Sequence, residues 1–161
     1  MSDKPDSPGQ LTHEIGFGRF FQSGNDSETT TCLLRPQADS VKTARDVTRS
    51  TLREWGLPEL SDDAALVVSE LVTNAVRYSL WPTRDSSDRD HPITLLLVRI
   101  APHVLLAVSD PSDEVPAPKE PDFISENGRG LYIVETYSQA WGWDALDHGG
   151  KAVWALFRAE G

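Results

Sequence analysis

Along residues 31–158 the apolar positions change period several times, and each change marks an element. Thr31–Leu34 is a short β-prone run stopped by Arg35-Pro36, which predicts a first strand at a sheet edge. After Ser40, placed to cap free N–H groups, Val41, Ala44, Val47, Leu52 and Trp55 give a helix its inward side, and Gly56 and Pro58 end it. A second helix is predicted from Ser61 to about Tyr78, opened by a hydroxyl and by Asp62 and Asp63 at the positive end of the helix dipole. Pro82 and the Asp/Ser/Arg stretch 83–90 read as a polar loop. Ile93–Ile100 and Val104–Val108 then read as strands around Ala101-Pro102, a link so short that the pair must be an antiparallel hairpin. From Pro111 to Arg129 the chain has four prolines, several acids and little period, so a long loop is expected there. A third helix is predicted after Gly130 through Tyr137. The chain closes with a hairpin, Ala140–Asp144 and Lys151–Arg158, around His148-Gly149-Gly150.

Helices separated by hairpins, without alternating βαβ units, predict an α/β protein: a two-layer α/β sandwich whose mixed, mostly antiparallel sheet carries its helices on one face. The length of 161 residues suits one domain with a substantial core. Residues 1–30 mix Gly, Ser, Asp and Pro around one apolar island, Ile15, Phe17, Phe20 and Phe21. They are expected to form a flexible arm ahead of a domain spanning 31–161, with the island docking on the domain or on a partner.

Charge narrows the function classes. A formal net charge of −10 repels phosphodiester backbones, so direct nucleic-acid binding is not expected. A bound nucleotide is compatible with it, because a divalent cation neutralises much of a triphosphate and local N–H groups hold the rest. Cys32 is the single cysteine, which rules out an intrachain disulfide framework and a cysteine zinc site and fits a reducing compartment. No apolar run has the roughly 18 residues of a membrane-spanning helix, and the expected location is the cytoplasm.

Three constellations can carry chemistry. On the second predicted helix Glu70 and Asn74 are four residues apart, hence one turn apart on one face, in a polar stripe with Asp63, Thr73 and Arg77 that Leu66 interrupts. Alone, the stripe is better read as the solvent side of an amphipathic helix. Asn offers a neutral oxygen to a hard Mg²⁺ ion, and Glu can accept a proton from an attacking hydroxyl. The strand Val104–Val108 runs through Ser109 into Asp110, whose carboxylate can accept a hydrogen bond from an exocyclic amine such as that of adenine; Asp-Pro-Ser is also a common turn opening. Asn127-Gly128-Arg129-Gly130-Leu131 joins the long loop to a helix, where glycines let N–H groups approach phosphate oxygens; simple loop flexibility is the other reading. The four histidines are scattered, with no Gly-x-Ser-x-Gly or His-Glu-x-x-His pattern, and no Walker A motif occurs.

The order of these constellations resembles the GHKL ATPases with the Bergerat ATP-binding fold, and among them the short anti-sigma factor serine/threonine protein kinases of bacterial partner switching. Glu70–Ser79, ELVTNAVRYS, is similar to that family's N box, and the likeness covers about residues 31–158. The resemblance implies that ATP and Mg²⁺ are bound, that Asn74 coordinates the metal, and that Glu70 activates a serine or threonine hydroxyl on an anti-anti-sigma protein. It implies that Asp110 and Ser112 meet the adenine end, and that Gly128, Arg129, Gly130 and Leu131 belong to the phosphate end, with residues 111–127 as a lid. It further implies binding of a sigma factor, commonly as a homodimer. The first glycine box of the family is usually Asp-x-Gly-x-Gly; here it reads Asp110-Pro111-Ser112-Asp113-Glu114. Where the family often has a threonine near the last strand, Gly150-Lys151-Ala152 has no hydroxyl. The alternative is therefore a non-catalytic protein-binding module with weak or structural ATP binding.

Overall fold

A computed structural model describes residues 28–79, 92–110, 126–147 and 150–159. The polar loop of 83–90, the lid of 111–125 with Ser112, the arm before Glu28 and the turn at His148-Gly149 lie outside the described residues. The elements, in chain order, are β1 (Glu28–Leu34), α1 (Ser40–Glu54), a single 3₁₀ turn (Pro58–Leu60), α2 (Ser61–Ser79), β2 (Ile93–Ile100), β3 (His103–Asp110), α3 (Glu126–Tyr137), β4 (Ala140–Ala145) and β5 (Lys151–Arg158). The strands form one sheet in the order β1-β2-β3-β5-β4, and every described pairing is antiparallel.

Period two along the strands separates two apolar faces. Ile93, Leu95 and Leu97 of β2, Val104, Leu106 and Val108 of β3, and Val153, Ala155 and Phe157 of β5 pack with the helices. Leu96, Val98, Leu105, Ala107, Ala152 and Trp154 form a separate buried cluster on the other face. Burial on both faces explains why LLLV and VLLAV read as continuous apolar runs rather than alternations. α2 is the central helix: α1 and α3 both pack against it, and of the strands it lies chiefly over β3. Its inward stripe is Ala64, Val67, Val68, Leu71, Val72, Ala75 and Val76, at the spacing a buried helix face requires.

The expected elements are present, with shifts that have physical causes. β1 starts at Glu28, three residues before the predicted strand, because its polar first residues pair with Leu97, Val98 and Arg99 of β2; Glu28 also accepts from the Arg99 guanidinium at 2.7 Å on the opposed position. Ser40 does not cap α1. It is the first helical residue, and its hydroxyl donates instead to the Arg35 carbonyl at 2.6 Å. At the other end the N–H of Gly56 donates to the Arg53 carbonyl and that of Leu57 to the Leu52 carbonyl, a paired closure that needs the left-handed backbone of Gly56, φ 73°. β3 runs on through Ser109 to Asp110, so the aspartate is the last paired residue of the strand and not the first of a turn. α3 begins at Glu126, five residues before the expected start, which places Gly128 and Gly130 inside the helix instead of in a loop ahead of it.

Thr48 on α1 is fully buried, and its hydroxyl has no hydrogen-bond partner among the described residues. Replacing it with the isosteric valine removes an unpaired polar group from an apolar site, which is expected to raise unfolding stability by about 1 kcal/mol. A lower denaturant midpoint for Thr48→Val would show that the hydroxyl is satisfied in solution.

Candidate functional site

β3 and β5 are opposed so that Asp110 faces Lys151. Both residues have the parity of the helix-side positions, Val104, Leu106 and Val108 on one strand and Val153, Ala155 and Phe157 on the other. Their side chains therefore meet under the helical layer, with Lys151 Nζ donating to Asp110 Oδ1 at 3.1 Å and only 2% of each side chain exposed. Two charges removed from water at that separation hold one another firmly, although the cost of desolvation cancels much of their attraction. The carboxylate that the sequence nominates for an exocyclic amine already receives one N–H from within the chain. The positive φ of Gly150, 83°, turns the backbone directly into Lys151.

Lys151 was not among the candidates from the sequence, where Gly150-Lys151-Ala152 stood out only for lacking a hydroxyl. A signal was present: a lysine with inward parity at the head of KAVWALF must find a counter-charge or stay out of the sheet. Its partner becomes visible only when β5 is known to lie beside β3.

On α2, Leu71 and Ala75 sink into the core and fix the rotation of the helix. Asn74 is consequently buried, at 8% exposure, and Glu70, one turn earlier, is half-buried. Thr73 and Arg77 are half-buried too, whereas Asp63 and Leu66 are exposed. The stripe is thus not a uniform solvent face: it sinks into the protein at the Glu70/Asn74 end. Asn74 and Asp110 lie on the same side of the sheet, carried by α2 and by the strand it chiefly covers. An amide oxygen and a carboxylate one turn apart are hard donors of the kind Mg²⁺ accepts when phosphates and water complete its shell.

Gly128, Arg129 and Gly130 occupy the opening turns of α3, and Leu131 is buried just beyond them, with Val134 reaching the main core. The first four N–H groups of a helix lack intrahelical acceptors, so Glu126 to Arg129 present the anion-attracting end. The structure brings Asp110 and Lys151 into contact, buries Asn74 and leaves Glu70 half-buried. Ser112 lies outside the described residues. Among the described residues no three His, Cys, Asp or Glu side chains gather as a metal cage, and no helix is long and apolar enough to cross a membrane.

With this geometry in hand, comparison with known proteins gives the family. The sequence profile of the histidine kinase-like ATPase domain matches residues 34–157, well over half of the chain. The chain belongs to the histidine kinase-like ATPase family. The match spans α2 with Glu70 and Asn74, Asp110 at the end of β3, and the glycines of α3, and membership makes ATP the implied ligand. No curated protein matches the chain by sequence. Among solved structures, it is similar to the RsbU and RsbW domains of Rv1364c from Mycobacterium tuberculosis, with 18% identity and a TM-score of 0.59. That match covers 82% of this chain but only 32% of the other, so this chain spans about a third of that protein. It is also similar to a chain of the SiaB–SiaC complex from Pseudomonas aeruginosa, with 11% identity, a TM-score of 0.58 and coverage of 92% and 96%. At these identities the likeness is one of fold.

The ion pair can be tested directly. Lys151→Met leaves a buried carboxylate without its counter-charge and is expected to cost about 3–5 kcal/mol of unfolding stability, while Asp110→Leu combined with Lys151→Met should recover most of it. Equal stability of wild type and Lys151→Met in a denaturant titration would mean that the pair does not hold the β3–β5 end together.

Proposed function

We propose that this protein is an ATP-dependent serine/threonine protein kinase of a partner-switching system, phosphorylating an anti-anti-sigma antagonist and sequestering a sigma factor in the cytoplasm, as a homodimer. The observation that carries the reading is the partly submerged Glu70/Asn74 pair on α2, on the same side of the sheet as Asp110. Membership of an ATPase family supplies the nucleotide. That one fold neighbour carries RsbU and RsbW domains, and that another is held in a complex with a second protein, supports a protein as the partner.

In this reading Asn74 would hold Mg²⁺ through its amide oxygen, and the ion would supply screening of the triphosphate charge. Glu70 takes the proton of the attacking serine or threonine hydroxyl. The new oxygen–phosphorus bond forms as the bond from the γ-phosphorus to the bridging oxygen breaks, and ADP leaves. Positioning and charge supply most of the rate, so two residues and a helix N-terminus are chemically sufficient. Asp110 and Ser112 take the adenine end, with Asp110 accepting from the amine beside the bond it already makes with Lys151. A carboxylate has about four lone-pair sites, so the bond from Lys151 does not by itself saturate it. Gly128, Arg129, Gly130 and Leu131 form the phosphate end in the opening turns of α3.

A second reading has its own observation. Commitment of Asp110 to a buried lysine favours a protein-binding module in which ATP binds weakly or only structurally. The two readings part at Glu70, because simple binding has no need of a proton acceptor.

Calorimetry with Mg-ATP and phosphoryl transfer to candidate antagonists separate them. The wild type is expected to bind, and Asn74→Ala to lose about tenfold or more of its magnesium-dependent affinity. Glu70→Gln should keep binding and lose transfer by about 10²–10⁴-fold, the usual weight of a general base. Binding without transfer in the wild type would leave the module, and no binding at millimolar nucleotide would remove both readings.

A further inference from the structure

The face of the sheet opposite the helices is buried, although no described element packs over it. Val98 and Trp154 are 0% exposed there, and Leu96, Leu105 and Ala107 are 2%. The strand register makes these one continuous patch. Val98 lies opposite Leu105 and Leu105 opposite Leu156, while Leu96 lies opposite Ala107 and Ala107 opposite Trp154. Ala107 and Gly142, the cross-strand neighbours of Trp154, are small and leave room for its indole. Towards β1 the patch ends: Thr29, Thr31 and Leu33 share the parity of this face and are exposed, Leu33 at 68%. A bare sheet would leave its central side chains as open as Leu33, so something apolar covers the middle of this face and not its β1 edge.

We infer that the cover is the chain's own segment Ile15–Phe21, folded back across β2, β3 and β5. Three of the five phenylalanines of the chain, Phe17, Phe20 and Phe21, lie in it together with Ile15. Its attachment point suits the task, since the chain enters the sheet at Glu28, the start of the edge strand. The distance is within reach. Seven extended residues from Phe21 to Glu28 span up to about 23 Å, and three strand spacings from β1 to β5 amount to about 14 Å. The other two segments outside the described residues suit it less. Residues 80–91 are mostly polar and run from the end of α2, and residues 111–125 carry four prolines and four acids and lead into α3, so each is tied at one end to the helical layer. The indole N–H of Trp154 is buried without a hydrogen-bond partner among the described residues, which fits a cover made of hydrocarbon and rings. The arm is in this account a structural part of the domain that occupies an apolar surface in cis, independent of whether the other face binds nucleotide.

The test places a photo-crosslinking benzoylphenylalanine at Phe20 of the full chain, irradiates dilute monomer and maps the products by mass spectrometry. Crosslinks within one chain to peptides of β2, β3 or β5 are expected. Crosslinks joining two chains, crosslinks to α1–α3, or none at all would overturn the inference. As a second readout, Phe17→Ser, Phe20→Ser and Phe21→Ser combined should raise acrylamide quenching of tryptophan fluorescence at least twofold, and the rise should vanish in a Trp154→Phe background. Unchanged quenching in the triple variant would also overturn it.

Discussion

Everything on the helical side of the sheet depends on how α2 is rotated. Leu71, Val72 and Ala75 can be buried against β3 in one orientation only, and that orientation carries Asn74 to the margin of the core and leaves Glu70 half in solvent. Apolar burial thus positions the polar pair: each buried aliphatic side chain is worth about 1.5–3 kcal/mol, far more than any exposed contact Glu70 could make to turn the helix another way. α1 and α3 clamp the same helix from its two sides, so the rotation is fixed by three sets of contacts rather than by one.

The Lys151–Asp110 pair arises from a similar necessity at the level of register. Once β3 and β5 pair with Val108 opposite Val153, period two leaves no freedom, and Asp110 and Lys151 must sit opposite one another beneath the helices. Neither charge could be accommodated there alone. As a pair they close the end of the β3–β5 ladder without an apolar residue, which is a costly arrangement unless the carboxylate has another use. A carboxylate kept ionised and in place by a neighbouring ammonium is ready to accept an amine, and the same ammonium competes for it. Affinity for a base at this position is therefore a balance between preorganisation and competition.

Much of this was legible in the sequence because the signals were local. Hydrophobic period gave the two long helices and both hairpins, and spacing placed Glu70 and Asn74 on one face of α2, while their role rests on the family resemblance. What escaped was relational. β1 extends to Glu28 because β2 offers a long partner, not because Glu-Thr-Thr is strongly β-prone. Ser40 has the chemistry of a cap, yet a nearby carbonyl of Arg35 took its hydroxyl. The start of α3 was hidden by Gly128 and Gly130, which propensity assigns to a loop and tertiary packing through Leu131 and Val134 admits to a helix. Lys151 was overlooked since its partner is 41 residues away and is chosen by sheet order.

The continuous apolar runs of β2 and β3 carry a further consequence. A two-layer sandwich with one solvated face would show alternation in LLLV and VLLAV, with polar residues at Leu96, Val98, Leu105 and Ala107. Their absence fits a far face that is covered whatever the other face binds. β1 differs, because its residues Thr29 and Thr31 on that face are polar and exposed. One face of the sheet is thus committed to positioning the Glu70/Asn74 helix, and the other, in the inference drawn above, to the cover over Trp154.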